Sequence, residues 1–184
     1  MAKTLKFEID VVNLFNSTTS SAALKRAAAS TLSNESFRRE FGRRVIDRIV
    51  ERTQSGIDQK GSPLAAYSSS YKKSLAFEVY GKSPGEVNLT LTGEMLASFE
   101  VKGTPARKVV MGFLSKLQNN KAHGHVYGGG HKGSLPVRDF FGLPVGAQKE
   151  ILLDTMRDFN APITVFDLPD TDPTQSDGGT GFSF

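Results

Sequence analysis

The sequence predicts an α+β fold: a small antiparallel sheet packed by a long N-terminal amphipathic helix and a second C-terminal helix, with extended loops and a disordered acidic tail. Three observations predict it. Leu5, Phe7, Ile9 and Val11 alternate with Lys6, Glu8 and Asp10, the period of two of a half-buried strand. Phe37, Phe41, Val45 and Ile49 recur at every fourth position, widened by Ile46 and Val50 into one apolar helical stripe. Phe99–Lys102 and Lys108–Leu114 flank Gly103-Thr104-Pro105 as the arms of an antiparallel hairpin.

Taken in order, the first strand runs from Leu5 to Val12, and the Ser/Thr run Asn16–Ser21 reads as a loop. Ala22–Leu32 is rich enough in alanine for a short helix. Asn34 or Ser33 caps the main helix, which runs to about Thr53. Its other face is expected to hold Arg38, Arg39, Arg43, Arg44, Arg48 and Arg52, with Glu35, Glu40, Asp47 and Glu51 as partial partners. Such a face is normally solvated or paired; the alternative is phosphate contact, which makes these six arginines the candidate DNA-facing set.

Ser55–Tyr80 reads as loop and then a short helix near Ser69–Phe77, and Lys82–Glu86 as a turn. Thr92 is expected to cap a single helical turn with Met95 and Leu96 facing in. Val126-Tyr127 suggests a short extra strand. Pro136 holds the following residues extended, and Pro144 opens a helix to about Phe159 that should pack on the sheet. A brief strand at Ile163–Phe166 would close a single domain over residues 1–166, leaving 167–184 as a flexible acidic tail.

The totals exclude several chemistries. Having no cysteine, the chain has neither disulfides nor thiolate catalysis, and any metal would rest on His and carboxylate ligands. The N-terminus shows no apolar signal region, and no run approaches the roughly 20 apolar residues of a membrane span, so a soluble, intracellular product is expected. Charge is uneven. Six acids and one arginine follow residue 153 (net −5), leaving 22 bases and 13 acids before it (net +9). A basic body with an acidic tail suits head-to-tail contact between copies, or contact with nucleic acid.

The richest stretch for function is Ala122–Leu143, which holds all three histidines, the glycines Gly128–Gly130 and a Pro-x-Arg-x-Phe-Phe-Gly-Leu run. One reading is a metal site at His123, His125 and His131. The favoured one is a glycine-flexed loop followed by a structural anchor that presents Phe140 and Phe141 to the core or to a neighbouring subunit. The histidines have no nearby carboxylate except Asp139, and freezing three glycines costs entropy. No Gly-x-x-x-x-Gly-Lys-Ser/Thr phosphate-binding loop occurs in the chain. Neither a catalytic residue nor a cofactor is assigned. Tyr67 and Tyr71 beside Lys72 and Lys73 form the best aromatic-basic cluster, explained equally by a buried tyrosine face.

Three separated segments resemble one family, the virion-morphogenesis proteins of tailed phages that act at the neck or complete the tail. They are Gly56-Ile57-Asp58 through Gly61, Tyr67, Ser68 and Tyr71; Leu91-Thr92-Gly93-Glu94-Met95-Leu96-Ala97-Ser98; and His125-Val126-Tyr127-Gly128 followed by Pro136-Val137-Arg138-Asp139-Phe140-Phe141-Gly142-Leu143. Their order is the family's order. Asp139 departs from the pattern by standing where the family has a second proline, and the Ala-rich start and acidic tail lie outside the resemblance. It implies a structural, non-enzymatic virion protein that joins head to tail and lets DNA pass. The expected partners are copies of itself in a sixfold ring, adjacent neck or tail-tube proteins and, transiently, DNA, with no membrane contact. The subunit interface would fall on Arg138, Asp139, Phe140, Phe141, His125 and Tyr127. The alternative is a sequence-independent nucleic-acid-binding module using the arginine-rich helix.

Overall fold

The computed structural model describes residues 4–90, 92–129 and 135–159. Within them lie three strands and eight helices: β1 (Lys6–Asp10), α1 (Val11–Asn16), α2 (Ala22–Ser33), α3 (Glu35–Gln54), α4 (Ser69–Lys72), α5 (Leu75–Val79), α6 (Glu94–Ala97), β2 (Phe99–Gly103), β3 (Lys108–Phe113), α7 (Lys116–Tyr127) and α8 (Val145–Asp158). The expected α+β class is the one observed. The strands form one antiparallel sheet in the order β1-β3-β2, with Phe7 opposite Met111 and Phe99 opposite Phe113. Phe99, Val101, Val109, Met111, Phe113, Phe7 and Ile9 share the face turned to the core, while Glu8, Lys108, Glu100 and Lys102 carry ion pairs on the other.

Across the sheet lies α3. Asn34 caps it by accepting from the Ser36 and Phe37 amides, and Phe37, Phe41, Val45 and Ile49 are fully buried. Gly42 is where this helix comes closest to the sheet. A Cβ there would stand 2.6 Å from Val109 Cγ1 and 2.8 Å from Val101 Cγ2, so only glycine permits the approach. The long helix therefore sets how near the two layers sit.

Several local expectations are corrected. The first strand ends at Asp10, whose carboxylate accepts from the Val12 and Asn13 amides and starts α1, so Val11 and Val12 are helical. Gly93, at φ 77°, holds the N-cap position of α6 and makes no side-chain cap bond, which displaces Thr92 from that role. Val126 and Tyr127 are the end of α7 rather than a strand. That helix is announced by Ser115, which accepts from the Gln118 amide in a Ser-x-x-Gln start, but it buries Gln118, Asn119 and Ala122 instead of an apolar stripe. Asn119 receives the Leu5 amide at 2.8 Å, which ties α7 to the chain just before β1.

The last helix packs on α3 and α1, not on the sheet as expected. Phe159 meets Phe37 edge-on and Asp158 pairs with Arg44 at 2.7 Å, while the other end of α8 follows Gly142, whose carbonyl accepts from Arg52. The two helices thus run antiparallel. The strand at Ile163–Phe166, the acidic tail and His131 lie outside the described residues.

Candidate functional site

The Pro136–Leu143 run belongs to no helix or strand and turns at Asp139, where the Phe140 amide donates to the Arg138 carbonyl at 2.9 Å. Arg138 is only 3% exposed. Its Nε donates to the Ala65 carbonyl at 2.8 Å and Nη2 to the Ala66 carbonyl at 3.0 Å, Nη1 lies 3.3 Å from His125 Nδ1, and the guanidinium stands over the Tyr67 ring. In return its amide donates to the His125 carbonyl at 2.7 Å. A planar fork with five donors suits this arrangement; a lysine could not reach both carbonyls and the histidine.

Asp139 accepts from Gln59 Nε2 at 2.5 Å, and its carbonyl accepts from the Gln59 amide at 2.8 Å. The carbonyls of Phe140 and Gly142 receive Arg52 Nη2 at 2.6 and 3.0 Å. Phe140 is fully buried, and Phe141 packs on the sheet against Phe7, Phe99 and Phe113. Gly142 lies at φ 146°, a backbone conformation that side-chain-bearing residues rarely adopt, and a Cβ there would have to push the Gln59 amide aside.

Beside Arg138 opens a cavity of about 250 Å³. Tyr67, Tyr71 and Leu89 form its apolar wall, with Phe77 bracing the two tyrosines from behind. Lys82 reaches in from the turn after α5, donating to Asn88 Oδ1 at 2.8 Å and to the Thr90 carbonyl. His125 and Arg138 close the floor, and Leu135 and Pro136 the mouth. Burial, reinforced by the Arg138 charge, lowers the His125 pKa from 6.5 to about 4, so the ring is neutral at physiological pH. Desolvation also lowers Lys82 and Arg138. Among the described residues neither cation has a carboxylate partner within ion-pair distance, so the cavity is aromatic and cationic with no balancing acid.

These positions revise the expected interface set. Arg138 and Phe140 are spent inside the protomer, Asp139 is held by Gln59, His125 by Arg138, and Phe141 by the sheet aromatics. Tyr127 alone of the six is exposed, at 63%. Arg138 and Phe140 are buried on either side of the turn at Asp139, while Val137 stays exposed. The pocket residues Lys82 and Leu89 were missed, because nothing in a turn and a φ 51° leucine signals a wall shared with the distant His125 and Arg138.

The arginine face is also revised. Arg38 is buried and donates to the Leu32 and Thr104 carbonyls, and Arg52 is the clamp on Phe140 and Gly142. Arg39 pairs with Glu35, Arg43 with Glu40 and Asp47, and Arg44 with Glu40 and Asp158. Hydrogen bonds from Arg43 and Arg44 lower the Glu40 pKa to about 2. Arg48 shares a surface hollow with Glu51 and Asp154. Among the described residues no cluster of three or more His, Asp or Glu could hold a metal, and no helix is long and apolar enough to cross a membrane.

Comparison with protein-family models, with curated proteins and with solved structures found no match for this chain.

Proposed function

We propose that the protein is a structural component of a tailed-phage virion, a subunit of a ring at the head-tail neck or at the tail end, performing no reaction. One observation supports this reading above the others: the first and third of the segments that resemble the family, far apart in sequence, meet at Arg138. The first contributes the Ala65 and Ala66 carbonyls and the Tyr67 ring, and the third contributes His125 and Arg138 itself. The two segments share one set of hydrogen bonds and so act as one structural unit.

Exposed apolar side chains supply contact surface for assembly. Leu75 and Val79, one turn apart on α5, are 74% and 68% exposed, and Tyr127, Leu135 and Val137 gather at the end of α7. The opposed charges of body and acidic end suit a heterologous contact, the kind that closes a ring. The nucleic-acid alternative has less behind it, since two of the six arginines are internal and three are paired with acids.

Negative-stain microscopy of lysates from a phage whose copy of this gene is interrupted tests the proposal. Full heads separate from finished tails place the protein at the neck, and tails of abnormal length place it at the tail end. Normal infectious particles would refute the virion role.

A further inference from the structure

We infer that the aromatic-cationic cavity beside Arg138 is the seat for the segment Phe166-Asp167-Leu168-Pro169-Asp170 of a second copy of this chain. The inference rests on the self-assembly part of the proposed function and names the contact that would carry it.

Size comes first. About 250 Å³ is smaller than the roughly 300–1,000 Å³ of sites for organic ligands, and suits one or two inserted side chains. Chemistry narrows the choice further. Tyr67, Tyr71 and Leu89 offer an apolar wall, and Lys82 and Arg138 bring positive charge that no acid of the described residues balances. The complementary ligand is a peptide with an aromatic or aliphatic side chain next to a carboxylate. The sequence after α8 contains that pattern in Phe166-Asp167 and Leu168-Pro169-Asp170. Phe166 would lie against the Tyr67–Tyr71 pair, with Asp167 towards Lys82, and Pro169 would hold the segment extended.

Reach decides which copy supplies it. Phe159 sits against Phe37 at the start of α3, while the run bearing Arg138 is clamped by Arg52, fifteen residues further along that helix and about 22 Å away at 1.5 Å per residue. Phe166 is seven steps along the chain from Phe159, a span of at most about 25 Å when fully taut. That length matches the straight line through the protein and leaves nothing for a path around it. A neighbouring copy meets no such limit, and a tail of one subunit seated in the next is a head-to-tail contact.

The test uses the full chain carrying Phe166→Ala, so that its own segment no longer competes, titrated with a fluorescent peptide of residues 163–171. The peptide should bind, more weakly as salt rises. Lys82→Gln, which removes the charge but keeps donors for Asn88 and Thr90, should weaken binding about fivefold, in line with a single exposed ion pair. Leu135→Trp, which fills the mouth from an exposed position, should weaken it as well, and Phe166→Ala within the peptide should do so on the order of 30-fold. Far-UV circular dichroism of each variant identifies any loss of fold. Light scattering should show the Phe166→Ala chain in smaller species than the wild type. No peptide binding at low salt, or binding indifferent to both cavity variants, would overturn the inference, as would a Phe166→Ala chain that assembles like the wild type. A wild-type chain that stays monomeric at every concentration would instead refute the ring reading, with the peptide titration still deciding what the cavity binds.

Discussion

Acidification should destabilise this protein through one histidine. His125 is held neutral in the fold with a pKa of about 4, against an ordinary value of 6.5, because burial and the adjacent Arg138 both oppose its charge. A folded-state pKa below the unfolded one means that the unfolded chain binds more protons between these values. Stability is therefore intact above pH 6.5, declines as pH falls towards 4, and loses nothing more from this group below that. Two and a half pKa steps at 1.36 kcal/mol each set a ceiling of about 3.4 kcal/mol, of which about 2 kcal/mol would be lost between pH 7.5 and pH 5. Urea unfolding at the two pH values should show a midpoint drop of about 1 M for a slope near 2 kcal/mol/M. His125→Asn keeps an acceptor for Arg138 and has nothing to titrate, so its midpoint should change much less over the same interval. The depressed carboxylate Glu40 acts lower, between 4.5 and about 2, and does not confuse the comparison. Equal pH sensitivity in the wild type and His125→Asn would refute the argument.

Other consequences can be checked alongside. Gly42→Ala should destabilise by about 1–2 kcal/mol despite alanine's better helix propensity, because its Cβ would press on Val109 and Val101; combining it with Val101→Ala should recover part of the loss in urea melts. Arg138→Lys should cost about 2 kcal/mol or more, since one ammonium cannot replace the fork to Ala65, Ala66 and His125, and a melt matching the wild type would count against the anchor. Arg39→Ala with Arg43→Ala should leave any binding to duplex DNA within about twofold at low salt, because both arginines are already paired; a steep loss in a salt titration would revive the nucleic-acid reading.

Much of the frame was legible in the chain itself. Period-two alternation announced β1, the spacing of Phe37, Phe41, Val45 and Ile49 announced α3, and the hairpin and α8 followed from turn residues and Pro144. These signals are local: they need only neighbours within a few residues and a single apolar face. Helix α7 escaped because its buried side holds Gln118, Asn119 and Ala122, polar groups whose burial is permitted by partners such as the Leu5 amide more than a hundred residues away. The packing partner of α8 escaped for a related reason. An amphipathic helix needs an apolar surface, and its sequence does not say whether the sheet or α3 will provide it.

The candidate site shows the same division. Composition and the Pro-x-Arg-x-Phe-Phe-Gly run were enough to single out 136–143 as an anchor, since proline and glycine act on their own backbone. Which arginines face water was decided only by tertiary structure. Arg38, Arg52 and Arg138 are identical in sequence character to Arg39 and Arg43, yet they turn inward because unpaired carbonyls at Leu32, Thr104, Phe140, Gly142, Ala65 and Ala66 await donors there. A charge is written in the sequence; whether it meets solvent, an acid or a buried carbonyl depends on what folding brings beside it, and that is why the cavity at Arg138 came into view only with the fold.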